Sequence, residues 1–405
     1  MNYKVSEEKN RRNGIILIGA QRITRSVAAG MINVAFPYYI LSTLHYGAFV
    51  IGLIYVSATV ATAVLGYLSG ISTDVWGKRG TLVLASLLLP VSAIMVYISS
   101  SLWMIIPAAM VGGYSATGSL AGGGIGGAVA PIQSAVLANL TADDKRTKYF
   151  SFFTFLSGAT AALGALLAKA FDVRDIFLAA AILSSVGLPG LWYLKVEEAR
   201  GKIGRLKTGS TIGKFTLTGM LNGLSQGLIV PFLIPFFVLV YHVPKSEMSE
   251  YAFLSGLLGS FAILGAPLLE KYFGFVKSIV FTRGIGTLLF IVFPIVRFLP
   301  ISVIIYIIGP ALRVAALPIQ QSELTKRVDE DEMGRALGIN QVARLAASST
   351  GTGLSGYLME GALFEIPFFI YGIIMAANLY LYIRFFGVKS GIRTEAVRSD
   401  EMEVK

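Results

Sequence analysis

No cysteine occurs in the 405 residues. Disulfides, thiol nucleophiles and cysteine metal ligands are therefore excluded. His45 and His242 are the whole histidine supply, too few for a His-rich metal site. Charged residues make up 14% of the chain, against about 25% in a soluble domain. All 23 Asp and Glu fall in polar segments or at the ends of apolar ones. An enzyme buried in a membrane would need paired acids, a nucleophile with its base, or a metal cluster inside the apolar stretches, and the sequence offers none of these. It also has no G-x-x-x-x-G-K-[ST] run for a nucleotide. No metal, cofactor or enzymatic activity is expected.

What is present is apolar: 55% of the residues are hydrophobic, and the mean hydropathy is +0.70. A membrane span needs about 20 mostly apolar residues. Twelve stretches answer to that, at 14–41, 49–71, 80–99, 103–137, 148–169, 176–195, 213–241, 250–268, 278–296, 300–325, 335–358 and 366–386. The polar N-terminus MNYKVSEEKNRRNG leads into an apolar stretch longer than the core of a signal peptide, so span 1 is expected to be retained. One long polar connection, KVEEARGKIGRLKTGSTIGK, divides the spans six and six. The expected organisation is a bundle over 1–195, a linker over 196–212, a second bundle over 213–390 and a polar tail over 391–405.

Lys and Arg set the orientation. With the N-terminus inside, 25 of them fall on inner segments and four on outer ones: Lys169, Arg174, Lys245 and Arg297. Both termini are thus expected in the cytoplasm and the chain in the cell membrane. The net charge of +11 then marks topology and an affinity for anionic lipid, not nucleic acid. The sequon Asn139-Leu140-Thr141 falls in an inner loop and carries no sugar on this reading.

The halves echo each other. PIQSAVLANLTADD, from Pro131, slides onto PIQQSELTKRVDED, from Pro318, with Gln133 over Gln320. The turn GISTDVWGKRG between spans 2 and 3 has a looser counterpart, GAPLLEKYFGFVK, between spans 8 and 9. Two parallel repeats of six spans are a transporter architecture.

These motifs resemble the major facilitator superfamily, whose signature between spans 2 and 3 is G-x-x-x-D-[RK]-x-G-[RK]-[RK]-[RK]. Gly70, Asp74, Gly77, Lys78 and Arg79 match it; Val75 and Gly80 depart from it. Glu270, Lys271 and Gly274 form the degraded second copy, and Arg146 and Arg335 stand in the other inner turns. The resemblance implies an all-α membrane protein of twelve transmembrane helices in two pseudo-symmetric six-helix bundles. It implies a monomer that moves a small molecule by alternating access, with spans 1, 4, 7 and 10 along the path. It also implies that Gly70, Asp74, Gly77, Lys78, Arg79, Arg146, Glu270, Lys271, Gly274 and Arg335 form an inner conformational latch, with Asp74 facing the N-terminal end of span 11.

A charge in mid-membrane costs about 2.5–3.5 kcal/mol on insertion scales. Five arginines accept that cost: Arg22 and Arg25 in span 1, Arg283 in span 9, Arg313 in span 10 and Arg344 in span 11. Arg22 and Arg283 lie nearer the inner surface and are expected to snorkel. Gln341, Arg344, Ser348 and Thr352 recur at helical spacing on one face. The candidate substrate residues are Arg25, Asn33, Gln133, Asn222, Gln226, Arg313, Gln320, Gln341 and Arg344. Such a cavity has cations and no acid, which favours an organic anion. The alternatives are a proton-coupled exporter of drugs or other lipophilic or neutral solutes, and a non-transporting sensor or assembly protein on the same fold.

Overall fold

The computed structural model describes residues 2–114, 129–141, 143–194, 209–328 and 333–387. Among them there is no strand. Span 1 is the helix Asn2–Tyr38, closed by a π-helical turn over Tyr39–Thr43. Spans 2 and 3 cover Ala48–Ser69 and Trp76–Ile98. Among the described residues span 4 is represented by Leu102–Gly112 and Ala130–Leu140. Span 5 is Asp143–Leu167, and span 6 is Asp175–Val186 followed by Leu188–Trp192. Span 7 runs through Gly209–Ile229, a 3-10 turn over Val230–Phe232, and Leu233–Tyr241. Spans 8 to 12 are Lys245–Phe273, Phe275–Val292, Leu299–Lys326, Met333–Glu360 and Ile366–Phe386.

Ten of the described helices are long and apolar enough to cross a membrane by themselves. The other two spans fall short for local reasons. Span 4 is expected over 103–137, and its first piece ends where Gly113 turns left-handed at φ 60°; most of the glycine run that follows lies outside the described residues. Span 11 has ample length, but polar side chains dilute its apolar ones. Span 7 begins at Gly209, inside the expected linker. The rest of that linker and the tail from 388 lie outside the described residues.

Successive spans alternate in direction, so the turns collect on two faces. The proximal face carries the 70–80 turn; the distal face carries the turns at 44–47, 242–244 and 361–365. Each half is built on one glycine crossing. A Cβ on Gly30 of span 1 would collide with the Ala161 carbonyl of span 5, and one on Gly164 with the Val27 carbonyl. In the second half, Gly227 of span 7 meets the Ser348 carbonyl of span 11 in the same way, and Gly351 meets that of Leu224. Backbones this close need glycine.

The repeat is therefore a property of the backbone. Gly77 takes φ 71° and ψ 161°, and Gly274 takes φ 74° and ψ 171°, so both proximal turns are made by a conformation suited to glycine. The two histidines of the chain, His45 and His242, both turn left-handed, at φ 56° and φ 52°, at the distal ends of spans 1 and 7. Gly30 and Gly227, His45 and His242, and Gly77 and Gly274 are separated by equal lengths of chain.

Packing differs between the faces. Distally one apolar core runs through both halves, joining Phe36, Ile51 and Phe177 to Phe232, Phe237 and Met359. Proximally there are two separate cores. Ile18, Leu82, Val136 and Phe153 belong to one, and Ile212, Phe215, Ile319 and Tyr382 to the other. Two close crossings join the halves along their flanks. Span 2 meets span 11 at Gly52 and Gly356, where a Cβ on Gly356 would lie 3.0 Å from the Gly52 Cα. Span 5 meets span 8 at Gly158 and Ser260, and at Gly256, where a Cβ would lie 3.1 Å from that of Ala162. Large apolar side chains such as Leu84, Val91, Leu254, Phe261 and Ile373 face outward, as a lipid-facing surface requires.

Candidate functional site

Spans 1, 7 and 10 are the most deeply buried of the ten long apolar helices. Between the halves, under the shared distal core, they line a small pocket of about 40 Å³ together with spans 2 and 8. Asn33 and Pro37 line it from span 1, Tyr55 from span 2, Pro231 from span 7, Ser255 from span 8, and Tyr306 and Pro310 from span 10. The prolines cannot complete a helical ladder, and the 3-10 turn at Val230–Phe232 interrupts span 7 beside them. The lining is mostly apolar and aromatic, with Asn33 as its amide. Sequence reasoning singled out Asn33 and missed Tyr55 and Tyr306, because an aromatic in an apolar span has no pattern that separates a pocket wall from core.

The arginines sit differently from one another. Arg344 of span 11 is half-buried. Its Nη1 donates to Gln226 Oε1 on span 7 at 3.1 Å, and its Nη2 to Gln341 Oε1 at 2.9 Å. Gln341 is exposed, so this group stands at the edge of the gap between the two proximal cores. Asn222 lies one turn from Gln226 and is 2% exposed. Ser348 and Thr352, expected on the same face as Arg344, are instead packed against span 7, where Thr352 Oγ1 donates to the Gly227 carbonyl at 3.2 Å.

Arg313 lies within the second half. Its guanidinium is 5.5 Å from the centre of the Tyr371 ring and 6.0 Å from that of Phe290. The residue is 3% exposed, and Nη1 and Nη2 have no hydrogen-bond partner. Gln320, two turns along the same face, accepts from Arg283 Nη2 at 2.6 Å. Arg283 also donates to Asn378 Oδ1 at 3.5 Å and lies over the Tyr382 ring at 5.3 Å. It is 1% exposed, so the expected snorkelling does not occur. Hydrogen-bond acceptors on spans 10 and 12 reach it where it stands.

The first half has its own polar interior. Gln133, the repeat partner of Gln320, donates to Gln21 Oε1, and Gln21 Nε2 donates to Ser86 Oγ at 3.2 Å. Arg22 also fails to snorkel. Its Nε donates to Ser157 Oγ, and the guanidinium lies 5.9 Å from the centre of the Phe153 ring. Arg25, one turn further along span 1, is 3% exposed. Gln133, Gln320, Arg283 and Arg313 are thus grouped inside the halves, whereas Arg344, Gln341 and Gln226 come together at the gap.

Of the expected latch residues, Gly77 is buried and Arg79 is exposed, with its guanidinium 5.6 Å from the centre of the Trp192 ring. Lys78 and Glu270 are half-buried, Lys271 is exposed, and Gly274 makes the second proximal turn. The surroundings of Gly70 and the side chains of Asp74, Arg146 and Arg335 lie outside the described residues.

The distal face holds ties that sequence reasoning missed. Glu360, at the end of span 11, accepts from the Phe49 backbone N–H at 3.0 Å and so meets the positive end of span 2. Lys245, at the start of span 8, donates to the Ala168 carbonyl at 2.8 Å and to the Phe171 carbonyl, the negative end of span 5. Lys169 and Glu250 pair beside it. Tyr38 Oη donates to the Val243 carbonyl at 2.6 Å. Each of these joins one half to the other.

Residues 22–352 match the family model of the Major Facilitator Superfamily. No curated protein matches the sequence. Solved structures of the same shape include the nucleoside transporter NupG, at 13% identity and a TM-score of 0.71 over 93% of this chain and all of that one. The human organic anion transporter MFSD10 (TETRAN) matches at 15% identity and a TM-score of 0.69, over 92% of this chain and 99% of that one. A D-xylose-proton symporter matches at 16% identity and 0.68, over 92% and 96%. At these identities the likeness is one of fold.

Proposed function

The chain belongs to the major facilitator superfamily, and from that premise we propose that it carries an amphipathic organic anion across the cell membrane by alternating access. It is a multi-pass secondary transporter that binds a small molecule and is not an enzyme. The observation that carries the anion reading is one of charge. Arg22, Arg25, Arg283 and Arg313 are buried and Arg344 half-buried, while no acid stands in the middle turns of any described span. A low-dielectric cavity with this imbalance holds a positive potential and attracts anions.

Arg344, held by Gln226 and Gln341 at the gap, is the group an entering acid would meet. Arg313, one turn from the pocket residue Pro310, would supply the deeper field. The aromatic and proline-lined pocket beyond is small in this state, about 40 Å³, and its mostly apolar lining matches the apolar body of such an anion once the halves move apart. Arg25, Asn33, Asn222, Gln133 and Gln320 complete the proposed substrate set, the last two by fixing the interiors against which the cavity is shaped. The fold neighbours are transporters of nucleosides, an organic anion and a sugar, so they leave this choice to the chain's own residues.

The test is transport of candidate anions into vesicles by the protein and by Arg344→Gln and Arg313→Gln. An ionic hydrogen bond contributes about 1.5–3 kcal/mol. Anion affinity should therefore fall about tenfold to a hundredfold in Arg344→Gln, with folding intact. Uptake of a cation, unchanged in both variants, would overturn the reading.

Orientation follows the same premise. The proximal face is taken as cytoplasmic because 25 of the Lys and Arg lie on it or on its segments, against four on the distal side. The separated proximal cores then make this an inward-facing state. A reporter fused after Lys405 should be active only inside the cell; activity only outside would reverse the assignment.

A further inference from the structure

The lipid-facing surface of the second half carries a groove that substrate transport does not use. It lies between spans 8, 9 and 10, is open to the surroundings and has a volume of about 500 Å³. Its wall on span 8 runs from Leu258 past Gly265 to Tyr272; Phe281 closes it from span 9, and Ala311 and Ala315 form its floor on span 10. The groove exists because small residues face each other there. A Cβ built on Gly265 would have no other atom within 4 Å.

The lining has no polar surface. Water has nothing to bond to in such a groove, and Leu258, Leu268, Tyr272 and Phe281 are open to the surroundings. From Leu258 to Tyr272 the groove follows span 8 for roughly 21 Å at 1.5 Å per residue. That takes it from the proximal end past the midplane of a hydrocarbon core about 30 Å thick. At the proximal end two exposed lysines, Lys271 and Lys277, flank the turn at Gly274.

We propose that this groove is a binding site for one acyl chain of an anionic phospholipid of the proximal leaflet, whose headgroup phosphate sits on Lys271 and Lys277. The apolar lining selects a hydrocarbon chain, and the paired cations at its mouth select the charged headgroup. The site bears on transport through span 8, which also makes the contact with span 5 at Gly256 and Ser260. A lipid seated there braces one side of the helix while the other side slides against the opposite half.

Native mass spectrometry of the full chain in detergent tests this, with phosphatidylglycerol or phosphatidylcholine offered after delipidation. The parent should retain phosphatidylglycerol in preference to phosphatidylcholine. Lys271→Gln with Lys277→Gln should lower that preference roughly thirtyfold, since each lysine near an anionic headgroup contributes about fivefold. Gly265→Phe, which fills the groove, should lose retention of both lipids at an unchanged melting temperature; if it does not fold, Gly265→Leu carries the same arm. Parent-like retention in the filled variant would overturn the acyl-chain site. Loss of lipid in the filled variant with an unchanged preference in the lysine pair would overturn the headgroup assignment.

Discussion

The two halves agree in their crossings and disagree in their charges. Gly30 with Ala161 and Gly164 with Val27 hold the first half at the points where Gly227 with Ser348 and Gly351 with Leu224 hold the second. Eight residues before Gly30 stands Arg22, and eight before Gly227 stands Gly219. Seven before Gly164 stands Ser157, and seven before Gly351 stands Arg344. At these matched places the first half has a cation on span 1 and a hydroxyl on span 5, while the second has a glycine on span 7 and a cation on span 11, which finds its acceptor at Gln226 instead. What repeats is what closes a six-helix bundle. What does not repeat is chemistry placed once, and a solute that binds between two unlike halves is read by those unrepeated residues.

The crossings should be the hardest feature to alter. Gly30→Ala and Gly227→Ala each drive a methyl group into a carbonyl of the facing helix. Overpacking costs about 1–3 kcal/mol and occasionally more, and here the obstacle is backbone, which cannot change rotamer. Both variants should lose the monodisperse detergent-solubilised protein. Gly213→Ala, on the same helix as Gly227 but with open space around it, should match the parent or gain about 0.5–1 kcal/mol. Survival of one crossing variant and loss of the other would mean that the two halves do not rest on the same joint.

A smaller effect separates two buried arginines of one half. Arg283 serves Gln320 and Asn378, so Arg283→Met leaves buried amide oxygens without a donor. Each ionic hydrogen bond contributes about 1.5–3 kcal/mol, and the melting temperature should drop clearly. Arg313 has rings around it and no hydrogen-bond partner. Arg313→Met replaces a buried unpartnered charge by an apolar chain, which is neutral or stabilising. Equal losses in both variants would show Arg313 to be structural, and would remove the reason for assigning it to a substrate.

The spans, their grouping in sixes and the repeat were legible in the sequence because each is written as a period or a composition. The arginines were legible as residues that need a reason, but their surroundings were not. Arg22 and Arg283 were expected to reach for water, and each instead meets a partner on a helix far away in sequence: Ser157 on span 5 and Gln320 on span 10. The glycine crossings were hidden because a glycine within a span is common, and only the facing carbonyl shows that it is required. Glu360 and Lys245 were hidden for a similar reason. They are ordinary charges at helix ends, and their partners are backbone groups of the opposite half, which leave no mark in the sequence.

Those distal ties are weaker than the crossings, and their loss should move the molecule between states without unfolding it. A carboxylate or ammonium at a helix end contributes about 0.3–2 kcal/mol, which shifts a two-state balance by up to about thirtyfold. Glu360→Gln and Lys245→Met should raise the population open on the distal side. Single cysteines report this cleanly, because the native chain has none to label. Asp74→Asn should act with the opposite sign, since the proximal latch proposed for it holds the other state; combined with Lys245→Met it should restore the balance. Arg297 with Glu365 is the control. Their salt bridge of 2.7 Å is also distal, but both residues belong to the second half, so it spans no moving boundary. The hydrogen bond from Arg297 lowers the Glu365 pKa below the ordinary carboxylate value. The small stability it gives is therefore complete above that ordinary value and is lost as the pH falls through the lowered one. Arg297 is largely exposed, so the contribution is at most slight. Arg297→Ala should leave labelling at neutral pH unchanged. If it opens the distal face as far as Lys245→Met does, position across the halves is not what makes a tie a latch.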